Sequence, residues 1–220
     1  MEETNFILLW KEQYEKIDQS LVINQQILRE LISRKAETAM RSLARFTSRG
    51  ILAAIIYLFL LGTVLFFAVS HYTRAADYFI ISIGFIFLIN LKALYDYIKH
   101  LSWIQEIDYD GNVIEIQHRL AALQASILRH TRIMFLQLPF WSTFYLSPEW
   151  FPLHTPTGWI ILQLVVTLLF VFTAIWLYRR LTKENADKKW VKALLKGSGA
   201  GYIIRAMEFY KEIESFKKES

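Results

Sequence analysis

Four stretches of the chain carry no charged residue: 51–70 (ILAAIIYLFLLGTVLFFAVS), 78–91 (YFIISIGFIFLINL), 133–146 (IMFLQLPFWSTFYL) and 158–178 (GWIILQLVVTLLFVFTAIWLY). A helix needs about 20 apolar residues to cross a bilayer. The first and fourth stretches meet that length, and the second meets it if it runs from Ala75 to Leu94. The third is different. Its apolar core is short and holds Gln137 and Pro139, so a kinked span reaching about Leu153 competes with a re-entrant segment. The span is the expectation. The pattern therefore predicts an all-α polytopic membrane protein with four transmembrane helices, at about 51–70, 75–94, 133–153 and 158–178.

Lysine and arginine then orient the spans. Residues 1–49 hold Lys11, Lys16, Arg29, Arg34, Lys35, Arg41, Arg45 and Arg49, and the tail after Tyr178 holds eleven more, opening with Arg179, Arg180 and Lys183. The segment 95–132 holds Lys99, Arg119, Arg129 and Arg132, whereas the two remaining connections hold only Arg74 between them. An even number of crossings with both termini cytoplasmic fits all five segments. Short outer loops then fall near 71–76 and 147–157. Trp141, Trp150 and Trp159 belong near the outer interface, and Trp176 and Tyr178 near the inner one.

Three cytoplasmic pieces remain. In the first, 1–48, Trp10, Tyr14, Ile17, Leu21, Asn24, Leu28 and Leu31 are spaced 4, 3, 4, 3, 4, 3. This is heptad spacing on one amphipathic helix, and Asn24 in the seam is the kind of residue that fixes register in a two-stranded coil. Two readings stay open: a homodimer or partner seam, or a face packed on the chain's own cytoplasmic helices. The helix is expected to run through ARFTSRG into the first span.

The middle piece, 95–132, continues the second span to about Ile107, breaks at DYDGN and restarts near Val113. Asp108, Asp110 and Asn112 alternate as at the start of a calcium loop, but Val113 stands where that motif needs Gly. A turn with a helix cap is the better reading. Glu115 and His118 form one ExxH, without the second pair and the extra glutamates that a di-iron bundle requires.

The third piece, 180–220, reads as a helical hairpin. Trp190, Val191, Leu194 and Leu195 share one helical face, and Ile203, Met207, Tyr210 and Ile213 share another. Between them lies KGSGAGYIIR. No strand precedes it and no GKS or GKT closes it, so it lacks the context of a phosphate-binding loop. Gly197, Gly199 and Gly201 are read as a helix hinge, and Arg205 as facing water or a carboxylate.

Composition narrows the function. The chain is 54% hydrophobic with 20% charged residues, a formal charge of +5 and no cysteine, with a mean hydropathy of +0.27 and a pI near 9.3. Basic residues facing an anionic inner leaflet account for the charge without nucleic acid. Disulfides and thiolate metal sites are excluded. The first apolar run follows about fifty polar, helix-prone residues, so no cleaved leader is expected. Ser82, Asn90, Gln137 and Gln163 are the polar groups at bilayer depth, where enzymes and transporters usually place charges. Asn90 and Gln137 read as interhelical hydrogen bonds, and Lys92 as a snorkelling side chain near a span end. No nucleophile–base pair, metal cluster or inverted repeat stands out, so the chain reads as non-enzymatic, with no cofactor and no catalytic residue.

The segments EIDYDGNVIEIQHRLAALQ and YRRLTKENADKKWVKALLKGSGAGYIIRAMEFYKEIESFKK, with LLWKEQYEKIDQSLVINQQILRELISRKAETAMRSL near the N-terminus, resemble a family of uncharacterised four-span integral membrane proteins from Bacteroidota. The best-matching pieces are Ile107-Asp108-Tyr109, Ile116-Gln117, Trp190-Val191-Lys192, the Ser-Gly of the hinge and Glu208 to Lys218. Members are often encoded beside an extracytoplasmic-function sigma factor. The resemblance implies an inner-membrane regulator or scaffold that holds such a factor, and carries over no catalytic residue. The combined expectation is a homodimeric cytoplasmic-membrane protein in contact with lipid. Its inner helices would bind a protein partner. A small transporter or channel subunit, or a lipid-handling accessory protein built around His130, Gln137 and Glu115, is the alternative.

Overall fold

A computed structural model describes residues 2–109, 111–186, 188–195, 199 and 201–209. Before Glu30 it describes the side chains of Gln13, Lys16, Ile23, Gln26 and Ile27. The regular elements among the described residues are helical, in the order α1 (Glu2–Ser70), α2 (Asp77–Gln105), α3 (Val113–Met134), α4 (Leu138–Trp141), α5 (Thr157–Arg180) and α6 (Lys189–Leu195). Residues 201–209 form a further helical segment. Among these residues three helical segments are long and apolar enough to cross a bilayer: Glu30–Ser70, Arg74–Gln105 and Thr157–Arg180. That is the build of an integral membrane protein.

α1 is continuous over 69 residues, about 100 Å at 1.5 Å per residue. The sequence between Glu2 and Arg49 contains neither Gly nor Pro, so nothing interrupts the hydrogen-bond ladder before the apolar run begins. α1 and α2 then pack antiparallel. Gly50 lies against the Tyr97 ring and Gly62 against Phe87, each 3.5 Å from where a Cβ would stand. The polar connection at the far end is short, with Tyr72 donating to Asp77 Oδ1 at 2.8 Å.

The expected third span is not one helix. α3 gives way at Phe135–Gln137 to a 3₁₀ turn, α4 lasts four residues, and turns and a bend lead on to Thr155. Pro139 is the cause: it has no N–H to give the ladder, and its ring clashes with the carbonyl of Phe135 in a continuous helix. The freed backbone acceptors are met by side chains, one near in sequence and one from α5. Ser142 Oγ donates to Pro139 O at 2.7 Å, and Gln163 Nε2 on α5 donates to Ser142 O at 2.6 Å.

The main core lies at the end of the molecule where α2 and α5 finish. Ile32, Ala36, Met40 and Leu43 of α1 pack there with Ile104, Ile107, Ile116, Leu120, Leu123, Leu181, Val191 and Ile203. A smaller cluster, Leu61, Ile83 and Ile86, fills the bundle between the apolar helices. Lipid-facing residues such as Phe59, Phe66 and Phe172 stay exposed, as expected where the solvent is hydrocarbon rather than water.

Candidate functional site

α2 presents a row of polar side chains at Ser82, Asn90, Asp96 and His100, all buried. Each meets a partner from the broken segment or from α3. Ser82 Oγ lies 2.9 Å from Thr143 Oγ1. Asn90 Nδ2 donates to Gln137 Oε1 at 3.1 Å and to Ile86 O at 2.8 Å. Asp96 Oδ2 accepts from His130 Nδ1 at 3.0 Å and from Lys92 Nζ. His100 Nε2 lies 2.9 Å from Ser126 Oγ. Each step down α2 is matched by a step back along 126–143, so the two sides of the ladder run antiparallel. From Ser82 to His100 the ladder covers about 27 Å of helix.

The densest part is the Asp96 node. Asp96 and His130 are both 6% exposed, and His100 is 2% exposed. A carboxylate accepts and does not donate, so His130 Nδ1 carries the proton in this pair. Burying such a carboxylate is unfavourable unless charge and hydrogen bonds compensate it. Lys92, one turn earlier, supplies the charge and His130 supplies the second donor. The Tyr97 ring packs 4.9 Å from His130, closing the node on one side. Among the described residues no three His, Asp or Glu side chains converge as a metal set: the rings of His100 and His130 meet edge to face at 6.0 Å and turn to different partners.

Sequence reasoning missed this node because it ended the second span at Leu94, which left Asp96 in water. A signal was present. Lys92, Asp96 and His100 fall at i, i+4, i+8, and Ser126 and His130 at i, i+4, which is how two helices present complementary polar faces. The Asn90–Gln137 hydrogen bond is as expected. The proposed grouping of His130, Gln137 and Glu115 is not formed: Glu115 is paired with Arg119 at the exposed start of α3, at 2.8 Å. Asn112 caps that helix, accepting from Ile114 N at 3.0 Å, in keeping with a turn and cap in place of a calcium loop.

The heptad seam divides at Leu31. The side chains of Trp10, Tyr14, Ile17, Leu21, Asn24 and Leu28 lie outside the described residues. Leu31 is 49% exposed and lines a groove of about 400 Å³ with Arg34, Lys35, Tyr202, Arg205 and Phe209. The seam continues in sequence as Lys35, Thr38, Ser42 and Arg45, of which Ser42 is half-buried and the other three are exposed. The face of α1 that packs within the chain is Ile32, Ala36, Met40, Leu43 and Thr47, one residue on, which is about 100° around the helix. The heptad register of 10–31 is therefore offset from the stripe of Ile32 to Thr47 that packs among the described residues.

Of the hinge glycines, Gly197 lies outside the described residues. Gly199 adopts φ +81°, and a Cβ there would stand 2.7 Å from Leu43 Cδ1 and 3.1 Å from Phe46 Cδ1. Only glycine fits both the left-handed backbone and the close approach. Gly201 faces open space. Arg205 is exposed on the helical segment that follows.

A second concavity, of about 450 Å³, sits at the opposite end of the molecule between Tyr145, Trp150, His154, Trp159 and Gln163. Several of its polar groups are paired within the chain: Gln163 accepts from Tyr145 at 2.5 Å, and His154 Nδ1 faces Glu149 O at 2.8 Å.

No family model, curated protein or solved structure matches the chain.

Proposed function

We propose that the protein is a non-catalytic membrane scaffold or regulator whose cytoplasmic helical layer, led by the N-terminal part of α1, binds a protein partner. The observation that carries this reading is the change of face on α1. From Ile32 onward the buried stripe faces the chain's own core. Before it, the heptad spacing of the sequence from Trp10 to Leu31 is offset from that stripe, and Ile23, Ile27 and Leu31 are 54%, 59% and 49% exposed. Exposed apolar side chains such as Ile23 and Ile27, on a helix segment outside the bilayer, are what a partner would cover. A second copy through the Asn24 seam and a helical cytoplasmic protein both fit it. The family resemblance favours a sigma factor as the protein partner.

In this reading the chain crosses the bilayer four times, with both termini cytoplasmic. The third crossing is the broken segment, held against α2 by the polar ladder. The ladder's span of about 27 Å is close to the roughly 30 Å hydrocarbon thickness. The irregular backbone is sheltered by α2 and α5, the condition under which non-helical chain is tolerated at that depth.

The ladder supports a fastening role more than conduction. Its Ser82–Thr143 and Asn90–Gln137 rungs are separated by about 12 Å of helix, and buried Ile83 and Ile86 with Phe140 fill the interval. Hydrogen bonds cannot pass a proton across that distance without water.

The test is affinity purification of the full-length protein from native membranes, with light scattering for mass and mass spectrometry for partners. A stoichiometric cytoplasmic protein, released when Leu21, Asn24 and Leu28 are changed to Ser, Leu and Ser, is the expected result. A monomer holding only lipid overturns the proposal. A dimer whose mass is unaltered by Asn24→Leu, and which holds no other protein, removes both the seam and the partner.

A further inference from the structure

α5 ends in a feature that the scaffold reading does not use. One face of its last two and a half turns carries Phe172, Ile175, Trp176 and Arg179, and these line an open groove of about 380 Å³ with Arg180 and Asn185. The wall is apolar and exposed: Phe172 is 69%, Ile175 50% and Trp176 42% accessible. The helix before Arg179 has no charged residue back to Thr157, so this wall lies at acyl-chain depth and the two guanidiniums at the polar boundary. Asn185 fixes the groove's end. Its Nδ2 donates to Arg180 O at 2.8 Å and to Thr182 Oγ1 at 3.3 Å, folding the chain back over the helix terminus. Trp190 of α6 packs against Trp176, ring centroids 5.3 Å apart, and holds the wall in place. Among the described residues no carboxylate lines the groove, and neither Arg179 nor Arg180 forms an ion pair.

We infer that this groove is a binding site for one anionic phospholipid of the adjoining leaflet. Arg179 and Arg180 would take the headgroup phosphate, and the Phe172–Ile175–Trp176 wall one acyl chain. The charge complementarity is direct: two adjacent guanidiniums offer up to ten N–H donors, with fork geometry suited to phosphate oxygens. The apolar wall commits the ligand to a lipid in preference to a free phosphate, because one groove runs from acyl-chain depth to the guanidiniums and only a lipid joins a chain to a phosphate across that boundary. The inference does not depend on which side of the membrane this end faces, nor on any protein partner.

The experiment is native mass spectrometry of the full-length protein titrated with phosphatidylglycerol or phosphatidylcholine of matched chains. Phosphatidylglycerol is expected to bind more tightly by roughly tenfold or more, each arginine contributing on the order of fivefold. R179Q/R180Q should bring the two lipids within about twofold of each other, R179K/R180K should keep most of the preference, and Trp176→Ala should weaken both lipids. Equal retention of the two lipids by the native protein overturns the inference, as does a preference that survives R179Q/R180Q. Displacement of phosphatidylglycerol by glycerol phosphate at comparable concentration shows that the phosphate alone is recognised and overturns the lipid assignment. An unchanged monodisperse elution profile and melting temperature in R179Q/R180Q confirm that a lost preference is not lost folding.

Discussion

Asn90 of α2 and Gln137 of the interrupted segment share a hydrogen bond of 3.1 Å, and Gln137 lies two residues before the proline that ends regular helix there. The bond fastens the weakest part of the bundle's backbone to one of its long helices. Asn90 also donates to Ile86 O, so its amide hydrogens are directed both along its own helix and across to the neighbour.

If that bond is a fastener, its two halves are coupled. Asn90→Leu and Gln137→Leu are each expected to destabilise the protein in detergent by about 0.5–2 kcal/mol. The double variant should lose less than the sum of the two. Strict additivity in a denaturant titration would mean that the side chains do not interact.

The Asp96 node should be far less tolerant. Asp96→Leu leaves the buried His130 Nδ1–H and the half-exposed Lys92 without their shared acceptor, and an unsatisfied buried donor costs about 1–3 kcal/mol, more where charge is involved. Asp96→Asn keeps an acceptor and should cost less. A melting temperature for Asp96→Leu equal to that of the native protein would contradict the pairing.

Gly199 and Gly201 should respond in opposite ways to the same change. Gly199→Ala places a methyl against Leu43 in a left-handed backbone, which by itself costs about 1–2 kcal/mol. Hydrogen exchange in residues 201–209 should then rise as that segment loosens from α1. Gly201→Ala meets open space and should be neutral or stabilising by up to about 1 kcal/mol. Equal exchange in both variants would show that the tight approach to α1 is not what holds the segment.

The proposed four crossings can be mapped without background labelling, because the protein has no cysteine. Ser147→Cys and Tyr72→Cys should react with an impermeant maleimide added outside intact cells. Ser42→Cys and Thr182→Cys should react only after the membrane is opened. Labelling of Ser147→Cys only from the inside would make the broken segment re-entrant, and the number of crossings three.

Hydropathy and propensity were enough to place the long elements. The charge-free run of 158–178 and the Gly- and Pro-free stretch before Arg49 name their own secondary structure, because helix formation and bilayer transfer act on local composition. DYDGN announced its turn, and Asn112 its cap, for the same reason. The break after Met134 was half legible: Pro139 forbids a regular ladder, yet what replaces the ladder depends on acceptors met by Gln163 from a distant helix. Depth was the quantity that local reading could not supply. Asp96 follows an apolar run and looks like the start of solvent; the continuing helix was legible, but not that it brings Asp96 against His130, thirty-four residues away. Gly199 is similar. Three glycines look alike in KGSGAGY, and only the approach of Leu43 separates the one that must be glycine from the one that faces open space. Local sequence sets which residues can be helical or apolar, whereas burial and close contact arise from the antiparallel register of helices far apart in the chain, and that register is decided by packing.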